Sequence, residues 1–96
     1  MRTAIFPGSF DPYTKGHDSI ARRGLQLFDR IIIGVGINEK KKGIMAVEKR
    51  IQALKNLYRN EPRISVEAYS DLTVDFAKRK QADFILRGVQ IGRAHV

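Results

Sequence analysis

Residues 3–17 read Thr3-Ala4-Ile5-Phe6-Pro7-Gly8-Ser9-Phe10-Asp11-Pro12-Tyr13-Thr14-Lys15-Gly16-His17. A short apolar run, Thr3–Phe6, empties into a loop rich in Gly and Pro. The loop ends in Gly16-His17 and an amphipathic helix follows. An apolar run cut off by turn residues reads as a strand. The order strand–loop–helix gathers backbone N–H groups, a helix N-terminus and one imidazole at a single point. Such a point suits a phosphate whose charge must be held during reaction.

Outward from this stretch the sequence alternates in the manner of an α/β protein. The helix after the loop carries Ile20, Gly24, Leu27 and Phe28 on one face. Ile31-Ile32-Ile33-Gly34-Val35-Gly36-Ile37 is apolar on both faces, as a central parallel strand between helices must be. The polar segment Asn38–Gly43 leads to a second helix with the stripe Val47, Ile51, Leu54, Tyr58. Ala46 stands where a Ser or Thr cap is expected, at a cost of about 1 kcal/mol. Asn60-Glu61-Pro62 ends that helix, and a strand follows over about Ile64–Ala68. Ser70 or Asp71 is expected to cap a short helix running through Arg79, and Phe84–Leu86 reads as the fourth strand.

The order βαβαβαβ predicts an α/β, Rossmann-like, doubly wound parallel sheet. Its carboxyl edge collects Pro7–His17, Asn38–Gly43, Ser70–Thr73 and Arg87-Gly88. Ligands bind at that edge where strand order reverses.

Composition narrows the classes. A chain of 96 residues holds at most one small domain. It has no run of about 18 apolar residues, so no membrane-spanning helix is expected. No signal-peptide pattern precedes the first strand, and cysteine is absent, so disulfides and thiolate metal sites drop out. A cytoplasmic protein with no membrane partner fits these features. The formal charge is +8, from 18 basic and 10 acidic residues. That balance suits an anionic partner, and it also suits a solvated basic surface. The basic clusters lack the aromatic interleaving of single-strand binders, so a nucleic-acid partner is not expected.

The pattern Gly8-Ser9-Phe10-Asp11-Pro12-x-Thr14-x-Gly16-His17 resembles the nucleotide-binding motif of the adenylyl- and cytidylyltransferases. Within those nucleotidyltransferases it is most similar to the phosphopantetheine adenylyltransferase family. Ser70–Ala77 and Ile85–Val89 resemble that family too, and the resemblance runs from Met1 to about Val89. It implies reversible transfer of an adenylyl group from ATP to 4′-phosphopantetheine. The products are dephospho-coenzyme A and pyrophosphate, in coenzyme A biosynthesis, with Mg²⁺ accompanying ATP. It also implies assembly of the full-length protein as a homohexamer.

The chemistry asks little covalent help from the protein. A phosphate oxygen attacks the α-phosphorus in line and pyrophosphate leaves, so donors and fixed cations suffice. The resemblance makes His17 the transition-state stabiliser, donating to an α-phosphate oxygen; a histidine at a helix start can equally be a capping residue. Gly16 leaves room for close backbone approach. For ATP the resemblance implies Ser9, Phe10 (through its backbone, the ring being core), His17, Gly88 and Val89. For the acceptor it implies Ser9, Lys41 within the run Lys40–Lys42, Thr73 beside Leu72, and Arg87. Asp11 before Pro12 reads as a loop-fixing residue, and no residue is assigned to a metal.

Two departures stand out. Gln90 occupies the place of a family arginine. The later acidic residue and Ser-rich loop of the family's ATP site are absent. Gln90–Val96 reads like the in-frame translation of a sequencing-adapter oligonucleotide, the alternative being a divergent C-terminus. The expectation is therefore an incomplete nucleotidyltransferase domain over 1–89 and a non-native tail over 90–96, which removes His95 from the candidates. Such a chain is expected to be poorly stable and inactive, with apolar surface and the outer edge of the fourth strand uncovered. Two other functions compete: adenylyl transfer to nicotinate or nicotinamide mononucleotide, and a basic nucleic-acid-binding module. Thr14, in place of a histidine, and Leu72–Ala77 favour phosphopantetheine.

Overall fold

A computed structural model describes residues 1–10, 12–37, 44–87 and 90–93, with 44–46 and 90–93 described by backbone alone. The elements are β1 (Thr3–Gly8), α1 (Lys15–Gly24), β2 (Arg30–Gly36), α2 (Ile44–Leu57), β3 (Ile64–Tyr69), α3 (Thr73–Arg79), β4 (Phe84–Arg87) and β5 (Gln90–Arg93). They form one sheet of order β3-β2-β1-β4-β5. β1 pairs in parallel with β2 on one side (Ile5↔Ile32) and with β4 on the other (Ile5↔Ile85). β2 pairs in parallel with β3 (Ile33↔Val66).

Alternation of side chains along each strand divides the core in two. On one face Ala4, Phe6, Ile31, Ile33, Val35, Ile64, Val66 and Leu86 meet Ala21 of α1 and Val47 and Leu54 of α2. On the other, Ile5, Ile32 and Ile85 meet Phe76 and Ala77 of α3 and Ala82. β2 is buried from both sides, as its unbroken apolar run requires. Gly24 lets α1 lie close on the sheet: a Cβ there would stand 2.6 Å from Ile31 Cδ1 and 2.9 Å from Leu86 Cδ2. The doubly wound parallel sheet expected over β1–β4 is the observed one.

Several local expectations are corrected. α1 stops at Gly24, and the N–H groups of Leu27 and Phe28 both bond Gly24 O, at 2.9 and 2.8 Å. That turn buries Phe28 and leaves Leu27 49% exposed, so Leu27 does not share the core face. α2 begins at Ile44, which places Ala46 inside the first turn and removes the supposed capping defect. α3 has Leu72 at its N-cap with no side-chain capping bond. Asp71 turns instead to Arg79, whose Nη2 and Nε donate to its two carboxylate oxygens at 3.0 and 3.2 Å. That ion pair holds the Asp71 carboxyl below the usual carboxylate range.

The edge beside β4 also departs from the expected uncovered state. Gln90–Arg93 is an antiparallel strand on the outer edge of β4, with Leu86↔Ile91 and Arg87↔Gln90 opposed. An open strand edge is a row of unpaired N–H and C=O groups, and an extended segment beside it satisfies them. Among the described residues, the apolar side chains on the second sheet face are covered as well: Ile5, Ile32 and Ile85 are at most 5% exposed. The large exposed apolar side chains near a ligand-binding edge are Leu72 and Val74 instead.

Candidate functional site

Strand order reverses between β1 and β4, because the chain leaves β1 toward β2 and β3 and returns on the far side. A cleft of about 480 Å³ opens at that reversal, lined by Phe6, Pro7, Gly8, Ser9, Phe10, His17, Ile20 and Arg87. The crevice beyond the carboxyl ends of parallel strands at such a switch point is where doubly wound folds take ligands.

The loop that builds this cleft is held by aromatic packing. Phe10 is 5% exposed, with its ring 5.1 Å from Phe6, 5.1 Å from Tyr13 and 5.2 Å from His17, between ring centres. The ring lies over Gly8, where a Cβ would come within 2.9 Å of it. Phe10 has φ 50°, the left-handed region. A bulky residue there costs about 1–3 kcal/mol, so the packing must hold the turn in place. The loop gains a fixed backbone beside the cleft, and the Phe10 ring belongs to the core as the sequence suggests.

His17 sits in the first turn of α1 and does two things at once. Its N–H donates to Thr14 Oγ1 at 3.4 Å, and the Thr14 N–H donates back to His17 Nδ1 at 2.9 Å. This is a capping box with histidine in the place usually taken by Glu or Gln. A ring nitrogen that accepts a backbone N–H carries no proton, so the neutral imidazole holds its proton on Nε2. The capping role foreseen as an alternative is therefore real, and it leaves a donor for a ligand. The imidazole face stacks on Tyr13, at 5.3 Å between centres and 29° between planes. A Cβ at Gly16 would make only an ordinary contact, 3.5 Å from Thr14 Oγ1, so internal packing does not require glycine there.

Arg87 ends β4, with its side chain exposed toward solvent and lining the same cleft. Thr73 lies elsewhere, in a second groove of about 310 Å³ formed by Gly36, Ile37, Tyr69, Ser70, Asp71, Leu72 and Thr73. Its hydroxyl is 3.0 Å from the Tyr69 hydroxyl. Thus Ser9, Phe10, His17 and Arg87 come together, and Thr73 occupies a neighbouring groove along the carboxyl edge. Asp11, Lys41, Gly88 and Val89 lie outside the described residues, as do Ala94–Val96.

Residues 5–94 match the cytidylyltransferase-like family. The chain belongs to that family. Among individual proteins, this cytidylyltransferase-like chain is similar to the phosphopantetheine adenylyltransferase of Phocaeicola vulgatus, with 50% identity over 94% of the chain and 60% of the relative. Its counterpart in Bacteroides thetaiotaomicron is 52% identical over the same shares. That of Clostridium kluyveri is 42% identical over 94% of the chain and 55% of the relative. The chain spans about 60% of the length of the first two.

The donor set of this cytidylyltransferase-like cleft is cationic and neutral: a hydroxyl, an imidazole, a guanidinium and backbone groups. It suits phosphate oxygens. Among the described residues no cluster of three His, Cys, Asp or Glu could hold a metal ion. Among the same residues no helix is long and apolar enough to cross a membrane.

Sequence reasoning missed Tyr13, Asp18 and Tyr58. The Tyr13 and Tyr58 hydroxyls are 2.7 Å apart, and Tyr58 donates to Asp18 Oδ1 at 2.6 Å. The available signal was a tyrosine closing the apolar stripe of α2, a residue whose buried hydroxyl needs a partner.

Proposed function

We propose that this chain is the nucleotide-gripping part of an adenylyltransferase. It transfers the adenylyl group of ATP to 4′-phosphopantetheine, giving dephospho-coenzyme A and pyrophosphate. The observation that carries the reading is the convergence of Ser9, His17 and Arg87 on one cleft at the β1/β4 switch point. The acceptor follows from relatives of about 50% identity named for phosphopantetheine. Because the chain spans about 60% of them, the activity is proposed for the protein at their length.

In this reaction an acceptor phosphate oxygen forms a bond to the α-phosphorus while the bond to the pyrophosphate oxygen breaks. No proton need be taken from the nucleophile. The His17 Nε2–H donates to an α-phosphate oxygen as charge gathers there. The Ser9 hydroxyl and backbone bridge the two phosphates, and the Arg87 fork grips the acceptor phosphate. Lys41 shares that grip, Phe10, Gly88 and Val89 supply nucleotide contacts, and Thr73 lines the path of the pantetheine arm. Mg²⁺ enters with ATP as part of the substrate. The protein works in the cytoplasm, and its full-length form assembles as a homohexamer.

The test is pyrophosphate release from ATP, assayed with this chain and with a chimera that continues it into the C-terminal part of the Bacteroides thetaiotaomicron relative. Turnover of the chimera with 4′-phosphopantetheine is expected. Turnover with nicotinate mononucleotide alone overturns the acceptor assignment. Salt-sensitive binding to random DNA with no ATP binding overturns the enzyme reading.

A further inference from the structure

The ring stacked on His17 is itself tethered from outside the cleft. Tyr58 lies just past the end of α2 and is 4% exposed. Its single hydroxyl proton goes to Asp18 Oδ1, so the proton between the two phenols comes from Tyr13. Arg22 Nε holds both Asp18 oxygens at 3.0 Å and its guanidinium lies 5.3 Å over the Tyr58 ring. The chain of donors therefore runs one way, Tyr13 to Tyr58 to Asp18, and is anchored on Arg22. Burial pushes the Tyr13 phenol up to about 12. Burial, followed by the bonds to Asp18 and Tyr13, raises that of Tyr58 as well, so both remain donors at neutral pH.

We propose that Tyr13 and Tyr58 are positioning residues for His17: Tyr58 holds Tyr13 by its hydroxyl, and the Tyr13 ring fixes the plane of the imidazole. The Thr14 N–H secures one nitrogen only, and a ring held at one nitrogen can still swing about it. A stacked face removes the swing and gives Nε2–H one direction. Tyr13 is only half-buried, so packing alone does not fix it, and the hydroxyl contact supplies what packing lacks. α2 thereby sets the aim of a group on α1. What His17 does with that aim rests on the adenylyl-transfer reading; the positioning itself does not.

The test reads the ring directly. Long-range proton–nitrogen spectra of the 96-residue chain, carrying His95→Gln so that only His17 reports, give tautomer and ring mobility. The parent is expected to show one Nε2–H tautomer with close Tyr13–His17 ring contacts. Tyr13→Leu and Tyr58→Phe are expected to keep that tautomer, which the Thr14 N–H sets, but to raise the mobility of the His17 ring and weaken those contacts while α1 amide signals persist. Tyr13→Phe, which keeps the ring and disturbs packing least, should show a partial effect. In the chimera, Tyr58→Phe should lower kcat roughly tenfold with the KM for ATP unchanged. Parent-like His17 signals in Tyr13→Leu and Tyr58→Phe together overturn the proposal and leave the tyrosines as packing. A chimera without turnover strikes the functional reading, while the spectra still decide the positioning.

Discussion

The backbone N–H of Thr14 donates to Nδ1 of His17 across 2.9 Å, so the contact that closes the first turn of α1 also leaves the imidazole proton on Nε2. Helix capping and ligand chemistry are usually rival explanations for a histidine at a helix start. Here one supplies the tautomer that the other needs.

That coupling separates two substitutions. His17→Ala in the chimera should lower kcat by roughly 10²–10³-fold with little change in ATP binding, because a contact made chiefly in the transition state is lost. Thr14→Ala removes the hydroxyl but keeps the N–H that sets the tautomer. It should cost about 1 kcal/mol of stability and far less of kcat. Steady-state kinetics beside thermal melts read both; equal losses of kcat would sink the argument.

Gly16→Ala makes the opposite demand. A Cβ at that position meets only Thr14 Oγ1 at 3.5 Å, and Ala suits a helix better than Gly by up to about 1 kcal/mol. Stability should hold or rise slightly. ATP binding, followed by calorimetry, should weaken if the phosphate approaches the backbone here. Unchanged affinity would place the nucleotide elsewhere in the cleft.

Arg87→Ala should leave stability within about 0.5 kcal/mol, since the side chain is exposed. Its effect should fall on the acceptor, with the KM for 4′-phosphopantetheine rising roughly tenfold or more and that for ATP moving little. A rise confined to ATP would reverse the assignment of the two phosphates.

Much of this arrangement was legible in the chain. The all-apolar β2 run marked a central strand, and the Gly/Pro-rich stretch after Phe6 marked the loop, although β1 runs on through Pro7 and Gly8, which pair with Gly34 and Val35 of β2. What could not be read was set by contacts between distant residues. Leu27 fell out of the core because the chain turned at Gly24, which helical periodicity cannot foresee. Asp71 left the cap of α3 for Arg79, eight residues on, because a charged partner with two donors outcompetes a single backbone N–H. The Tyr13–Tyr58–Asp18 chain spans 40 to 45 residues of sequence, and no local pattern encodes it.

Gly34 offers a structural prediction that reaches the second groove. A Cβ there would lie 2.6 Å from the Phe76 ring and 3.0 Å from that of Tyr69, two rings stacked at 4.3 Å and 5°. Gly34→Ala should destabilise by about 1–3 kcal/mol through overpacking. Because the Tyr69 hydroxyl holds Thr73, it should also weaken acceptor binding in the chimera. A parent-like melting temperature would show that the rings can part without cost.

Alkaline pH tests the buried phenols. Tyr13 is raised from 10.0 to about 12, chiefly by burial, and Tyr58 is raised in the same direction. A phenol with a raised folded-state pKa binds its proton more tightly in the folded protein. Its contribution to stability is therefore complete below about pH 10 and is lost as pH rises through about 12. Melting temperature should fall across that window, with tyrosinate absorbance appearing as the fold is lost. Lysine titration also acts at high pH, so the decisive comparison is with the double variant Tyr13→Phe/Tyr58→Phe. That variant should start less stable at neutral pH, because Asp18 loses a donor, and should decline less steeply above pH 10. Parallel decline of the two proteins would mean that the phenols do not hold their protons through folding, and that the bond from Tyr58 to Asp18 is not what ties α2 to α1.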